Sequence, residues 1–425
     1  MSATTPLTIQ HPSPSERQQP ELPGHRSSRL SRVLDLDDFQ RAVRRRLPRA
    51  VYGYVAHGAE TEATMRGNRA VFDEWQLVTR ILVGVEERNS RISLFGRDYA
   101  APFGIAPMGG GALVAFDGHL VMARAAAKAG IPFILSANSI VPLEEVAAAN
   151  PAAWFAAYQS PNREAIEGMV ARVARAGIEV LAVTADVPIG SNREYDARAG
   201  FSFPIRPGPR LMWDVATHPR WLAGTLARTL LKRGIPEIVN LEPGGGPNLF
   251  SRKVKTIAAH ESLDWEHVRV MRDLWKGRFV VKGVLSVEDV VQAREIGADG
   301  VILSNHGGRQ LDYAISPLTI LEAAVAAAGD MTVMIDSGFR RGTDIVKALA
   351  LGARAVFVGR PFLFAAALAA EEGVSHAIAL LAKELDTDMA LLGRRRIADI
   401  GRDVLRPAPP SMPAIQARGR GSPGE

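Results

Sequence analysis

Short apolar runs rich in β-branched residues alternate with helical segments along most of the chain. That is the pattern of a parallel sheet whose strands are covered on both faces. The runs are FGIAP (103–107), IPFIL (131–135), WFAAY (154–158), VLAVTAD (180–186), FVVKGV (279–284), GVILSNH (300–306), TVMIDSG (332–338) and AVFVGR (355–360). Between them lie helix-patterned stretches such as 117–129 and 286–296, the latter opening SVED, a capping box before an amphipathic run. The spacing varies, which excludes a solenoid. Eight strand–helix units predict a closed TIM-type (β/α)₈ barrel, with a doubly wound open sheet as the alternative. Residues 35–75 form a helical preface able to cover one barrel end. One connection breaks the rhythm: roughly 75 residues separate Asp186 from a helix opening at Leu263, where a βα link needs only a few.

Composition narrows the class. Of the 425 residues 47% are hydrophobic and 23% charged, enough apolar material for a large core, and mean hydropathy is near zero. The absence of cysteine removes disulfides, thiolate metal sites and cysteine nucleophiles together, and no other residue cluster suggests a metal. A formal charge of +6 invites a nucleic-acid reading, but the excess is arginine spread over both tails and one long loop, so no nucleic-acid partner is expected. No run of 18 apolar residues occurs, so no membrane-spanning helix is expected. Residues 1–34 and 407–425 read as tails around one domain at 35–406. The first 30 residues lack the apolar core of a secretory signal.

The polar residues gather at the ends of the apolar runs. The fourth run finishes in Thr184 and Asp186, the fifth in Lys282, the sixth in Ser304, Asn305 and His306, the seventh in Asp336 and the eighth in Gly359 and Arg360. In a barrel such residues converge on one mouth. DSGFRRGTD (336–344) sets glycines, Arg340 and Arg341 at a turn feeding a helix, and Gly359-Arg360 repeats the arrangement. Glycines, helix N-termini and arginine together suit a phosphate; solvated surface charge is the plain alternative. In SNHGGRQLD (304–312) a neutral imidazole suits a base near pH 7, and a guanidinium nearby suits a carboxylate. Asp186 would orient His306 or stabilise its imidazolium, unless it forms a structural ion pair.

SNHGGRQLD, VVKGV (280–284), DSGFRRGTD, FVGRP and VYGYVAHGAE (51–60) resemble the FMN-dependent α-hydroxy-acid oxidase and dehydrogenase family, which includes glycolate oxidase, lactate monooxygenase and mandelate dehydrogenase. The motifs match in order from about residue 35 to 405. The resemblance implies oxidation of a small L-2-hydroxy acid to the 2-oxo acid, with FMN as cofactor. It makes His306 the base with Asp186 behind it, Arg309 and Tyr54 the carboxylate clamp, Tyr158 a contact to hydroxyl or carboxylate, and Arg193 an added positive charge. It sets Lys282 at the pyrimidine edge of the flavin, where it would stabilise the reduced ring. Ser136, Thr184 and Ser304 would lie at the ring, the Pro107, Met108 and Gly109 backbone against its face, and Asp336 on the ribityl chain. Gly338, Arg340, Gly359 and Arg360 would hold the phosphate. A cytoplasmic homo-oligomer, a tetramer, is implied, with oxygen or a quinone as electron acceptor.

The chain departs from the family in three places. Ala156 stands where a glutamine is usual, with Gln159 as a candidate substitute. Gly109 stands where the oxidases often carry alanine, which points to an acceptor other than oxygen. Asn138 stands where glycolate oxidase has tryptophan. Two rival readings are an FMN barrel acting on a phosphorylated substrate and a flavin-binding scaffold without turnover. The inosinate-dehydrogenase-like form of the first needs a loop cysteine that this chain lacks. In the long loop, residues 219–235 set Leu222, Leu226 and Leu230 at helical spacing beside Trp221. Arg228, Lys232 and Arg233 flank them, after Arg206, Arg210 and Arg220. Such a helix can lie peripherally on the inner membrane face, or its leucines can pack on the barrel.

Overall fold

The computed structural model describes residues 29–158, 161–251 and 261–409. Residues 1–28 and 410–425 of the two tails lie outside the described residues, as do Gln159 and, within the long loop, 252–260; Leu30 and Val33 are buried in the main hydrophobic cluster. Strands β1 (Trp75–Leu77), β2 (Ile92–Leu94) and β3 (Arg97–Tyr99) precede the barrel. The barrel itself runs through β4 (Phe103–Ile105), β5 (Ile134–Ser136), β6 (Trp154–Tyr158), β7 (Val180–Thr184), β8 (Arg278–Val284), β9 (Gly300–Leu303), β10 (Thr332–Ile335) and β11 (Ala355–Val358). These eight are parallel in the order β4-β11-β10-β9-β8-β7-β6-β5, and a bridge between Ile105 and Phe133 closes the ring. Each coincides with a run that the apolar pattern marks, β5 and β8 reaching one residue beyond it. β12 (Leu405–Pro407) pairs antiparallel with β1, tying the two ends of the domain together.

Strand alternation sorts the side chains. Phe155, Leu181, Phe279, Val281, Val301, Val333 and Val356 face outward into one hydrophobic cluster with the surrounding helices. Ile134, Trp154, Ala156, Ala182, Val280, Ile302, Met334 and Phe357 fill the inside of the ring. Each large apolar side chain so buried stabilises the fold by about 1.5–3 kcal/mol. One step further along, at the C-terminal ends, the same inward positions become Ser136, Tyr158, Thr184, Lys282, Ser304 and Asp336. The polar floor of the mouth is thus the continuation of the interior column.

The two barrel ends are closed differently. The β2–β3 hairpin, which the apolar pattern leaves unmarked, plugs the N-terminal end: Ile92, Leu94 and Tyr99 join the inner cluster, and Trp154 Nε1 donates to Tyr99 Oη at 3.1 Å. The helical preface, α1 (Leu36–Val43), α2 (Arg49–Ala56) and α3 (Ala63–Ala70), reaches the other end, where Tyr54 and Val55 line the mouth. Among the described residues one helix, Arg360–Leu391, is long and apolar enough to cross a membrane by composition. It packs on the barrel instead, burying Phe362, Phe364, Val374, Leu381 and Leu385, and it breaks at Ala369 and Ala370.

The long connection after β7 folds over the mouth and is pinned there by polar contacts. Asp214 accepts from the amides of Arg49 and Ala50, capping α2. Arg233 makes paired bonds to Asp117 and Glu145, and Trp221 Nε1 donates to the Leu113 carbonyl at 2.7 Å. The expected leucine-striped helix is therefore altered. It runs through Pro219–Trp221, a wide turn at Leu222–Ala227 and Arg228–Arg233; Trp221 is buried, Leu226 packs on the main cluster, and Arg228 stacks on Phe116 at 4.3 Å. Among the apolar groups left outside are Met212, Trp213, Leu230, Leu231 and Ile235.

Candidate active site

A cavity of about 740 Å³ opens at the strand C-termini. Its floor and one wall carry Tyr158, Lys282, His306, Arg309, Asp336 and Arg360, and Tyr54, Gly109, Asn138, Arg193, Gly338 and Arg340 complete the polar part.

His306, three residues past the end of β9, takes the left-handed conformation, φ 57°, and Gly307 and Gly308 follow at 65° and 74°. This run of positive φ turns the chain sharply off the strand, and glycine takes it without a Cβ penalty while His306 bears some strain. The ring is held by the Asp186 carboxylate, with Nδ1 at 3.0 and 3.1 Å from its oxygens, and the His306 amide donates to Ser304 Oγ. A carboxylate accepts only, so Nδ1 bears a proton and Nε2 is the atom left to accept one. Burial raises the Asp186 pKa, but the His306 ring that bonds it and the Lys282 ammonium outweigh it and hold the carboxyl below its ordinary value. Gly283 makes room: a Cβ there would lie 2.6 Å from Asp186. The apolar run does not reveal that requirement.

Arg309 sends Nη1 to the carbonyls of Tyr54 and His57 at 2.7 and 2.9 Å, and its guanidinium lies 4.9 Å over the Tyr54 ring. Among the described residues Nε and Nη2 have no acceptor, leaving the edge suited to a carboxylate. Burial and Arg193 push its pKa down to about 10, so it remains charged at neutral pH. Arg193 is held by Ser191, Gln310 and the Arg309 carbonyl. Burial, then Asp186, pushes the Tyr158 hydroxyl up to about 12, which keeps it a proton donor.

Lys282 is 3% exposed and lies 2.9 Å from Ser304 Oγ and 3.1 Å from Asp336 Oδ2. Burial opposes its charge, yet Asp336 and Asp186 outweigh that and push its pKa up. Ser337 donates to the other Asp336 oxygen and accepts from the Gly307 amide, joining the lysine to the His306 turn. Asp336 is thus the counter-ion of Lys282, a role the sequence motif does not disclose. Ser136, Thr184 and Ser304, expected at the flavin ring, are buried and do not line the cavity; Ser136 Oγ accepts from the Asn138 amide.

The residues suit FMN. Gly338 and Gly359 bring bare backbone to the cavity (a Cβ on Gly338 would meet the Asn68 carbonyl at 2.2 Å), and Arg340 and Arg360 border it. Burial lowers the pKa of both arginines, and the neighbouring cations Arg309 and Arg340 lower Arg360 further, a strain an anion would relieve. Two details differ from the motif reading. Arg341 turns away to Glu384 and Asp35, and the first amides around Gly342–Ala350 are taken by Asp344 and Glu384. Those amides are already satisfied, which leaves the Gly359-Arg360 turn facing the cavity, with Arg340, whose Nε pairs with Asp37 at 3.2 Å, beside it.

A phosphate-suited turn, a buried cation and a His–Asp pair at the mouth of a parallel barrel define a flavin-dependent oxidoreductase, and the family match agrees. Residues 43–407 match the FMN-dependent dehydrogenase family, and the chain belongs to it. It is 38% identical over 376 residues to (S)-mandelate dehydrogenase of Pseudomonas putida, covering 88% of this chain and 94% of that protein. L-lactate dehydrogenase of Yersinia pestis is 38% identical over 375 residues, 87% of this chain and 97% of that one. Among solved structures, monotopic membrane protein (S)-mandelate dehydrogenase superposes with a TM-score of 0.81 at 37% identity, over 89% of this chain and 100% of that chain. Mandelate oxidase with benzoyl-formic acid gives 0.73 at 33% identity, over 88% and 98%.

Proposed function

We propose that the protein oxidises L-2-hydroxy acids with a bulky apolar substituent to the corresponding 2-oxo acids. The observation that carries this is the division of the cavity. Its polar end joins the open edge of Arg309 to His306 Nε2. Its other end is an apolar roof of Leu113, Ile140, Phe201, Ile205, Ile238 and Leu249, much of it supplied by the long loop. A two-carbon or three-carbon acid would leave that roof wet, whereas an aryl or branched side chain would dry it at about 25 cal/mol per Å². Both relatives named above act, by name, on 2-hydroxy acids, and an aryl substituent such as mandelate's would suit this roof.

In this reading Arg309, with Arg193 and Tyr54, clamps the carboxylate and fixes the α-carbon. Tyr158, protonated, donates to the substrate's oxygens. His306 Nε2 receives the hydroxyl proton, and Asp186 stabilises the imidazolium that results. Bound FMN supplies the two-electron acceptor, beside which Lys282 would balance the added negative charge. Arg340, Gly338, Gly359 and Arg360 would hold its phosphate. Ala156 is buried in the inner column one layer below Tyr158, so it offers that layer no polar group.

The exposed Met212, Trp213, Leu231 and Ile235, with Arg220 and Lys232 nearby in sequence, support a peripheral membrane contact on the inner face. Electrons would then pass to a quinone. The similar monotopic mandelate dehydrogenase adds weight. Steady-state assays with (S)-mandelate, L-lactate and glycolate test the substrate reading: kcat/KM should fall in that order, and equal values for all three would overturn the apolar preference.

A further inference from the structure

Behind the glycine-rich turn after β4 lies a histidine that the reaction scheme does not use. His119 opens the helix Gly118–Ala129 and is 2% exposed. Its Nε2 is 2.8 Å from the Met108 carbonyl and its Nδ1 is 3.1 Å from Ser139 Oγ. A carbonyl only accepts, so Nε2 carries the proton; the Ser139 hydroxyl accepts from the Val141 amide at 3.0 Å and shares its own proton between the Val141 carbonyl and His119 Nδ1, each 3.1 Å away. Burial pushes the imidazole pKa down against the opposing Met108 bond, so the ring is neutral near pH 7 and held in one tautomer. The approach is tight by construction. A Cβ on Gly111 would sit 2.8 Å from the His119 ring, and one on Gly118 would sit 2.1 Å from the Gly111 carbonyl.

The peptide joining Met108 to Gly109 is planar and trans, so its C=O and N–H point in opposite directions. Anchoring the carbonyl therefore aims the Gly109 N–H away from His119. That N–H has no acceptor among the described residues, and Gly109 lines the cavity. Gly109 is half-buried at the cavity wall, so this N–H is free to donate to whatever fills the cavity. The ligand in reach is the flavin. β4 neighbours β11 in the ring, and Met108 Sδ would lie 3.3 Å from a Cβ on Gly359. A group anchored at Gly359-Arg360 and extending toward Lys282 therefore passes this turn.

We infer that His119 is a positioning residue: through the Met108–Gly109 peptide it aims the Gly109 N–H at the flavin ring as a preorganised hydrogen-bond donor. The inference rests on the cavity being the FMN site.

The test compares FMN-loaded wild type with His119→Leu, His119→Gln and Ser139→Ala. It reads the visible spectrum of the bound flavin, its reduction potential by dye equilibration, and the melting temperature. His119→Leu should shift the reduction equilibrium by about tenfold, roughly 30 mV for a two-electron couple, with a displaced visible band. His119→Gln, whose amide N–H can reach the same carbonyl, should restore both, and Ser139→Ala should give a smaller shift in the same direction. A folded His119→Leu protein with wild-type spectrum and potential, altered only in melting temperature, overturns the inference. Should His119→Leu fail to fold, Ser139→Ala decides, an unchanged potential overturning the role. Wild type that takes up no FMN overturns the reading of the site itself, and this inference with it.

Discussion

The floor of the cavity and its roof are built on different principles. The floor is the last layer of the barrel column, where Tyr158, Lys282 and Asp336 stand at inward strand positions and Asp186 and His306 just past the ends of β7 and β9, held by bonds between neighbouring strands. Most of the roof comes from a long connection of short helices and loops, fastened by arginine pairs and side-chain-to-backbone bonds such as those of Arg233 and Arg172. Strands hold reacting groups to the tolerance that chemistry needs, while a loop can change side chains without disturbing the sheet. The comparison teaches that reaction type and substrate preference reside in separate parts of the chain, so substitutions in the two should fail differently.

Substitutions in the floor should damage chemistry or stability outright. His306→Gln should retain flavin and bind a 2-oxo acid, yet lose about 10²–10⁴ in the rate of flavin reduction; stopped-flow reduction within a few-fold of wild type would remove His306 from the base role. Lys282→Met leaves Asp336 buried without its cation, and denaturant unfolding should show a loss of about 3–5 kcal/mol. The double change Lys282→Met/Asp336→Leu should recover much of that stability while still failing to reduce normally. Arg309→Met should weaken benzoylformate binding by about 2–5 kcal/mol, measured by spectral titration. Equal wild-type affinity for the acid and its methyl ester would contradict a carboxylate clamp.

Substitutions on the outer face of the loop that carries most of the roof should leave the reacting groups intact. Replacing Trp213, Leu231 and Ile235 with serine should abolish sedimentation with anionic vesicles at low salt. Because all three are exposed, stability should change by no more than about 0.5 kcal/mol per site. Wild type that stays in the supernatant would make this face a plain surface.

A position in neither region gives the smallest effect. Burial and the neighbouring Glu384 push the Asp388 carboxyl up to about 6. The folded state then holds its proton more tightly than the unfolded chain, so this group's contribution is full below the ordinary carboxyl pKa and is lost as pH rises through about 6. Asp388→Asn should raise the melting temperature at pH 7.5 by roughly a degree or two, with the gain vanishing below pH 4.

This division also explains what the sequence could and could not reveal. Strand alternation and the polar ends of apolar runs are local patterns, so all eight barrel strands and Asp186, Lys282 and His306 were legible from them. The hairpin at 92–99 was not, because its value lies in plugging a barrel end far away in sequence. The same holds for His119, which acts through Met108 and Ser139, and for Arg341, which its motif groups with Arg340 although Glu384 and Asp35 draw it outward. In the long loop the leucine spacing correctly signals a helical stretch. The fate of each side chain there depends on Leu113, Phe116 and Asp117, contacts that no periodicity encodes.

The central claim is that His306, Arg309 and the apolar roof together oxidise a bulky apolar 2-hydroxy acid at the flavin. Anaerobic mixing of the purified yellow protein with (S)-mandelate, its methyl ester and glycolate, followed at the visible flavin band, tests it most directly. Rapid bleaching by (S)-mandelate, with slow or no bleaching by the ester and by glycolate, is the predicted result. A flavin that stays oxidised with every 2-hydroxy acid, or that bleaches equally with all three compounds, would contradict the account.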